Sequence, residues 1–465
     1  MTLASRARRR CTGDERVHDV LGIGFGPSNL ALALAIDEHN QAEPSHAAID
    51  ALFVEKQERF GWHRGMLLDD ATMQVSFLKD LVTMRNPTSA YSFVAYLHEH
   101  GRLVDFMNHK TLFPLRIEFH DYLEWAARQV SHVVEYDAEV VDVQPVREGG
   151  AVRGFDVAIA GGDGGAGDRA APVVRRARNL VIAAGLELRM PPGIERSARV
   201  WHNRDFLARV AELEAGRAPT RFAVVGAGQS AAEITSYLHR EFPQAEVCAI
   251  FARYGYSPAD DSPFANRIFD PAAVDAYYSA PPAVKQMLLG YHRNTNYSVV
   301  DTDLIEDLYR RVYQEKVTGR ERLRILHACR VLAVDDDGAV GQPVHVALEC
   351  LSSGERSELA CDAIVFATGY RPVCPLGLLG AAHGLCTTSE DGMVCLGRDY
   401  RVATGCAMQG SGIYLQGATE HSHGIGSTLL SNTAVRAGEI LGSILEHDAR
   451  RGAGHDELVG AARSR

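Results

Sequence analysis

Short, almost uninterrupted apolar runs punctuate this chain, and two of them lead straight into glycine-rich turns followed by stretches with helical spacing. The first run, His18 to Leu21, enters Gly22-Ile23-Gly24-Phe25-Gly26-Pro27, and Ser28 to Ile36 beyond it predicts a helix. The second, Arg221 to Val225, enters Gly226-Ala227-Gly228-Gln229-Ser230 ahead of another predicted helix. Continuous apolarity over a short run marks a strand buried on both faces, as in a parallel sheet. Strand, glycine turn and helix in that order make a phosphate cradle. Without Cβ atoms the backbone amides approach an anion closely, and the helix N-terminus favours its charge. Neither turn completes the G-x-G-x-x-G pattern, since Pro27 and Ala231 take the third glycine positions. That position governs helix-on-strand packing rather than phosphate contact, and proline suits the first turn of a helix.

The pattern then repeats. Downstream of Gly22, an alternating segment from Val133 to Val146 precedes Phe155 to Ala160 and then the run Asn179-Leu180-Val181-Ile182-Ala183-Ala184-Gly185. Downstream of Gly226, Leu323 to Val334 precede Val344 to Leu351 and then Asp362-Ala363-Ile364-Val365-Phe366-Ala367-Thr368-Gly369. Each half reads as a βαβ opening, a β-meander and a buried parallel strand ending in glycine. The fold class is α/β, with two Rossmann-like dinucleotide-binding domains. A later apolar strand, Gly412 to Gly417, and a predicted helix, Ser427 to Ile440, follow the close of the second unit and are expected to return to the first. The first domain is thus discontinuous, 16–215 plus 372–448, and the second is 216–371. Gly161 to Ala170, nearly all Gly, Ala and Asp, predicts a flexible hairpin loop. Residues 1–15 and 449–465 are expected to be disordered tails. Two cradles on one chain point to electron transfer between two dinucleotides.

Composition narrows the class. A chain of 465 residues exceeds one hydrophobic core. A net charge of −11 argues against a general nucleic-acid binder, and no apolar stretch reaches the length of a membrane span. Arg6 to Arg10 are basic, but no apolar segment follows as a secretory signal needs, so a cytoplasmic location is expected. Nine cysteines, an odd number without a C-x-x-C pair, predict neither a disulfide framework nor a zinc or other metal site, only reduced and partly buried thiols.

The residue closing the second strand of such a domain faces the ribose of its nucleotide. Ala51-Leu52-Phe53-Val54 closes on Glu55, whose carboxylate would accept from ribose hydroxyls and repel a 2′-phosphate, so FAD or NAD fits the first domain. Val247 to Ala252 close on Arg253, and a guanidinium there pairs with a 2′-phosphate, so NADPH fits the second. The cofactor-binding candidates are therefore Gly22, Gly24, Gly26, Pro27 and Glu55 on one side. On the other they are Gly226, Gly228, Gln229, Ser230 and Arg253, with the strand-end pair Thr368-Gly369.

Trp62-His63, Met73-Gln74 and Ser76-Phe77-Leu78-Lys79-Asp80-Leu81, running on into Arg85-Asn86-Pro87-Thr88-Ser89, closely resemble the bacterial and fungal L-ornithine N5-monooxygenases of siderophore biosynthesis, relatives of the L-lysine N6-hydroxylases. Further matching segments are Asp260-Asp261-Ser262-Pro263-Phe264, Thr295-Asn296-Tyr297-Ser298-Val299-Val300, His423-Gly424 and Thr428-Leu429-Leu430-Ser431, so the resemblance spans Gly22 to Arg436. It implies a class B flavin monooxygenase with non-covalent FAD, NADPH as hydride donor and O2 as co-substrate, acting through a C4a-hydroperoxyflavin. It also implies a small, mostly helical substrate-binding insertion, placed at 258–315, and a homo-oligomer, often a tetramer. Carried over from the family, Lys79, Asn266 and Asn296 hold the amino acid and Ser431 lies near its reacting end. Met73 and Gln74 lie beside the flavin, and Gln229, Ser230 and Arg253 face NADPH. Trp62, His63 and Leu429 join the cofactor contacts, and Gln74, Lys79, Asn296 and Ser431 form the catalytic set.

The residue types suit that chemistry. A free amino acid brings a carboxylate and an ammonium, so its site needs a cation such as Lys79 and amides that both donate and accept, such as Asn266 and Asn296. Lys79 stands among Phe77, Leu78, Leu81 and Val82, where a purposeless charge is costly. The two asparagines, taken without the family, would serve equally as helix caps or turn residues. Only a neutral amine is nucleophilic, and at a pKa of about 10.4 roughly one part in two thousand is neutral at pH 7. The pocket must lower that pKa or relay the proton. His63 and His423 are bases by type and structural histidines by equal right. A disulfide reductase would need a redox cysteine pair, and an amine oxidase would lack the second cradle with Arg253. L-Ornithine N5-hydroxylation is the reading, with L-lysine N6-hydroxylation, one methylene away, as its rival. A non-catalytic redox sensor is the remaining class, and no partner module appended to the chain supports it.

Overall fold

The computed structural model describes residues 16–43, 47–161, 171–214, 218–338 and 342–463. The loop expected at Gly161 to Ala170 lies, after Gly161, outside the described residues, as does the tail 1–15.

The apolar run before the first glycine turn forms the strand Val17–Ile23, parallel to Ala51–Val54 on one side and to Val173–Ile182 on the other. Val173–Ile182 serves two further partners. Its first half pairs antiparallel with the meander strand Ala151–Gly161, and its second half pairs parallel with Gly412–Leu415. That second pairing is the expected return of the chain to the first unit. The helix Pro27–Ala42 lies against Arg116–Gln129 and the C-terminal helix Thr433–Arg463. Leu30, Leu34, Phe53, Phe93, Tyr122 and Ile440 share one core there.

The second sheet is wholly parallel, in the order Leu323–Leu326, Glu246–Ile250, Arg221–Val225, Ala363–Phe366, Val200–His202. A three-stranded antiparallel sheet, Cys329–Asp335, Val344–Cys350 and Arg356–Cys361, supplies the meander. Gly24 (φ +83°) and Gly226 (φ +142°) hold equivalent places in the two halves. A Cβ on Gly24 would lie 2.5 Å from the Ala183 carbonyl oxygen, and one on Gly226 would lie 2.5 Å from that of Ala367. Each glycine turn is thus pressed onto the end of the apolar strand that closes its own unit, so the two sequence signals belong to one packing contact.

Four boundaries differ from expectation. Val200–His202 and the helix Phe206–Glu214 belong to the second sheet's layers, so the second unit begins before 216; a three-residue strand carries too little pattern to be read. The helical insertion ends earlier than 315. The helix Thr302–Thr318 packs Leu304, Ile305, Leu308 and Val312 into the core of the second sheet, leaving the excursion to the short helices Pro271–Ser279 and Pro282–His292 with their flanking turns. The last α-helix starts at Thr433, because Gly424 and Gly426 keep Ile425–Asn432 in 3-10 turns. It continues to Arg463, so most of the tail expected from 449 is helical. The two chain crossings between units run side by side as Leu186–Leu188 and Tyr370–Pro372.

Candidate active site

One cavity of about 2860 Å³ opens between the two large sheets, and both glycine turns reach its wall. At the first turn Gly26 precedes the helix Pro27–Ala42, whose N-terminus carries no side-chain cap. Gly26 has an ordinary φ of −86°, and no protein atom lies within 4 Å of where its Cβ would stand. The chain itself therefore does not demand glycine here, whereas an anion held by the uncapped amides does. Behind the turn Arg436 is 1% exposed, and its hydrogen-bond acceptors on Gln416, Ser427, Ser28 and Thr433 are all neutral oxygens. A buried guanidinium without a bonded carboxylate beside an uncapped helix start suits a pyrophosphate.

Glu55, 6% exposed, closes its strand as expected. Its Oε2 accepts the Phe25 N–H at 2.8 Å and its Oε1 the Gln57 N–H at 2.9 Å. These bonds tie strand end to glycine turn and leave each oxygen a lone pair for ribose hydroxyls. At the second turn Gly228 precedes the uncapped helix Gln229–Glu241. Arg253 is exposed at the end of Glu246–Ile250, where Nη1 donates to the Ser298 carbonyl at 2.8 Å. The residues of both cradles fit the dinucleotides expected of them.

Between the cradles a polar chain crosses the cavity. Gln229 Nε2 donates to Asp301 Oδ2 and to Glu233 Oε1, each at 3.0 Å, while the Asp301 N–H donates to Gln229 Oε1 at 2.9 Å. Gln74 Nε2 reaches Asp301 Oδ2 from the other unit at 3.3 Å. Arg116 grips Glu233 through two bonds of 2.8 and 2.6 Å. Burial, then the Glu233 charge, raises the Asp301 carboxyl, against bonds from Gln74 and Gln229 that lower it.

Lys79 ends a 3-10 turn, Phe77–Lys79, whose Ser76 hydroxyl accepts the Leu78 N–H at 3.3 Å. The next residue fixes that turn. Asp80 accepts the Val82, Thr83 and Phe93 N–H groups at 3.0, 2.7 and 2.7 Å and the Thr83 hydroxyl at 2.9 Å, and burial still raises its carboxyl. Lys79 is half-buried in the cavity wall, its Nζ 5.8 Å from the centre of the Phe269 ring. Among the described residues nothing hydrogen-bonds its ammonium, and burial lowers its pKa against the opposing pull of Asp270. Asn266, Asn296 and Ser431 line the same cavity. Asn266 spends one donor on the Asp261 carbonyl at 2.8 Å.

Trp62, His63, Met73, Ser230, Thr368, Gly369 and Leu429 also line the cavity, with Gly24, Pro27 and Gly226. Gly22 does not: its missing Cβ makes room for the Phe53 ring, 2.2 Å from where that atom would be. Arg253 is not in the wall itself but bonds the carbonyl of Ser298, which is. His423, left open between base and structural histidine, takes the structural reading. It is 1% exposed, stacked on Tyr400 at 4.1 Å, with Nε2 on the Arg398 carbonyl at 3.1 Å and Nδ1 on the Ser422 hydroxyl at 2.8 Å, so it is a structural group outside the cavity wall. His63 does face the cavity, where desolvation, then Arg116 and His120, lower it to about 4 and keep it neutral. Sequence reasoning missed Arg116, Glu233, Asp301, Asp80 and Arg436. Of these, Asp80 lay inside the Ser76–Leu81 motif without a role assigned, and Glu233, one helical turn after Gln229, carried the other local signal.

The family model for L-lysine 6-monooxygenase/L-ornithine 5-monooxygenase matches residues 16–372. The chain is 40% identical over 446 residues to the L-ornithine N(5)-monooxygenase of Pseudomonas aeruginosa, covering 94% of this chain and 96% of that protein. The ornithine N-hydroxylase of Kutzneria sp. 744, solved with reduced FAD, NADP+ and L-ornithine, superposes with a TM-score of 0.85 at 45% identity, over 93% of this chain and all of that one. The L-lysine 6-monooxygenase of Pseudomonas syringae gives a TM-score of 0.78 at 30% identity, over 92% of this chain and 99% of that one.

Proposed function

Because the chain belongs to the L-lysine 6-monooxygenase/L-ornithine 5-monooxygenase family, we propose that it hydroxylates the side-chain nitrogen of L-ornithine, giving N5-hydroxyornithine for a hydroxamate siderophore. When bound, FAD and NADPH supply the reducing equivalents and activate O2 for transfer of one oxygen atom. Gly24, Gly26, Pro27 and Glu55 hold the first dinucleotide, with Trp62, His63, Met73 and Leu429 along it. Gly226, Gly228, Gln229, Ser230, Thr368 and Gly369 hold the second, and Arg253 reads its 2′-phosphate.

The observation that carries the substrate reading is Lys79: a half-buried cation, unpaired among the described residues, presented by a braced turn in the wall between the two cradles. It pairs with the amino acid's carboxylate, while Asn266 and Asn296 offer amide groups to the α-ammonium and carboxylate. Ser431 holds the far end. The half-buried surroundings that lower the Lys79 pKa also favour the neutral form of a second amine brought into the same cavity. No deprotonating side chain is needed if the amine sheds its proton on entry. Ornithine is preferred to lysine because the similarity is 45% and 40% to ornithine enzymes and 30% to a lysine enzyme.

Hydroxylated product formed with NADPH and saturating FAD, compared for L-ornithine, L-lysine and putrescine, tests this reading. Ornithine is expected to dominate, with putrescine poor for want of a carboxylate. A preference for lysine would overturn the chain length and keep the chemistry; equal turnover of putrescine would remove the role given to Lys79.

A further inference from the structure

Outside the cavity, two thiols of the second unit face each other across a strand pair. Cys329 opens the strand Cys329–Asp335 and Cys350 ends Val344–Cys350, and the antiparallel register sets them directly opposite. They exchange no backbone bonds. Cys329 N–H donates to the Phe251 carbonyl at 3.0 Å, Cys350 N–H to that of Glu355 at 2.9 Å, and Leu351 N–H to that of Ala328 at 2.7 Å. This is the non-hydrogen-bonded kind of site, where opposite Cα atoms lie about 4.5 Å apart and side chains are closest. That spacing falls at the short end of what a disulfide spans.

We propose that Cys329 and Cys350 form a reversible thiol–disulfide couple, oxidised by hydrogen peroxide, at the base of the loop that carries Arg253. The two sulfurs have different characters. Cys350 is drawn down to about 6 by hydrogen bonds from the Ser352 hydroxyl, 3.1 Å away, and from Ser353, so it is largely thiolate at neutral pH. Burial, then the adjacent Cys350 charge, raises Cys329, which stays a thiol. The Cys350 thiolate attacks one peroxide oxygen, the O–O bond breaks, and the departing hydroxide takes a proton to leave as water. The resulting sulfenic acid is attacked at sulfur by Cys329, which gives up its proton as a second water departs. Two thiols lose two electrons to one peroxide. Neither sulfur is fully buried, and exposed disulfides are the readily reduced ones. Cys248, by contrast, is buried and raised to about 12, as expected of an inert thiol.

The location gives the couple a route to the cofactor loop. Ala328 N–H holds the Arg253 carbonyl at 2.8 Å, one residue before Cys329, whose own N–H holds that of Phe251.

The test treats the FAD-loaded full chain with hydrogen peroxide at near-stoichiometric dose, then maps peptides by mass without reduction. A Cys329–Cys350 cross-link lighter by two hydrogens, reversed by dithiothreitol, is expected, and its formation rate should rise with pH around 6. Cys350→Ser should abolish it and leave Cys329 unoxidised. In Cys329→Ser, Cys350 should stop at the sulfenic acid, trapped by dimedone. The KM for NADPH is expected to change at least twofold on oxidation in the parent and not in Cys350→Ser. Over-oxidation of Cys350 without a cross-link, or prior reaction of other cysteines, would overturn the couple. A cross-link that leaves the NADPH KM unchanged would overturn its link to the loop.

Discussion

At the scale of single residues, the site combines side chains that the fold leaves unsatisfied with side chains it satisfies fully. Lys79 is the first kind. Replacing it with alanine is expected to lower kcat/KM for ornithine hydroxylation by about 30-fold to several thousand-fold, the range for losing one partner of a desolvated charge pair of about 2–5 kcal/mol. NADPH oxidation should persist, because the cradles do not involve Lys79. Product formation against NADPH consumption in one assay checks it, and unimpaired coupling in the variant would exclude a carboxylate contact. His423 is the second kind. Its folded pKa of about 4 lies below the ordinary 6.5, first through burial, so the fold prefers the neutral ring. The resulting stability is fully present above pH 6.5 and is lost as pH falls through about 4, on the order of 3 kcal/mol in all. His423→Gln should be less stable at pH 7.5 and show a flatter decline of Tm between pH 6.5 and 4. A decline parallel to the parent's would put the acid sensitivity elsewhere. His63 shifts the same way but borders the cavity, so its contribution depends on what fills that space.

At the scale of elements, the glycine turns were legible because their constraint is local. Gly24 has φ +83°, and its absent Cβ admits the Ala183 carbonyl. Gly24→Ala places that atom in both a strained φ and a 2.5 Å contact, so the turn must move away from the strand end. The variant is expected to purify with little or no bound FAD and to regain less than a tenth of parental activity at saturating FAD; a fully yellow, active variant would show that the turn tolerates the shift. Strands with continuous apolar runs, the meanders and the return of Gly412–Leu415 were readable for the same reason, since each leaves a period or a turn in the sequence. Val200–His202 was not, because its membership of the second sheet rests on pairing with Ala363–Phe366 far along the chain. The helix Thr302–Thr318 shows the converse. Its pattern is plainly helical, yet only the packing of Leu308 under the second sheet tells a sheet-covering helix from an excursion. In the site, most residues read from motifs gather in one cavity, Gly22, Arg253 and His423 standing outside its wall, whereas the acids and arginines that brace them come from separate elements and carry no common spacing.

At the scale of the molecule, the cavity exists because two separately built sheets are held at a fixed separation, and polar contacts carry part of that load. Arg116 begins a helix of the first unit, Glu233 lies in the second unit's glycine-turn helix, and their side chains are only 12% and 5% exposed. Arg116 also donates to the carbonyls of Met66 and Thr72 at 3.0 and 3.4 Å, so the pair anchors the segment leading to Met73 and Gln74 onto the second unit. Removing one member of such a pair leaves the other buried and uncompensated, at a cost of about 3–5 kcal/mol. Glu233→Ala is therefore expected to lower Tm clearly, and Glu233→Gln, which keeps a carbonyl acceptor, less so. Gln229 would lose a partner as well, and with it part of the brace on Asp301. Both variants should weaken NADPH binding, read as a higher KM, while the purified protein still carries FAD, because neither Arg116 nor Glu233 bonds the first glycine turn or Glu55. An alanine variant with unchanged Tm and NADPH KM would mean that the two units hold their separation through the paired crossings Leu186–Leu188 and Tyr370–Pro372 and apolar packing alone.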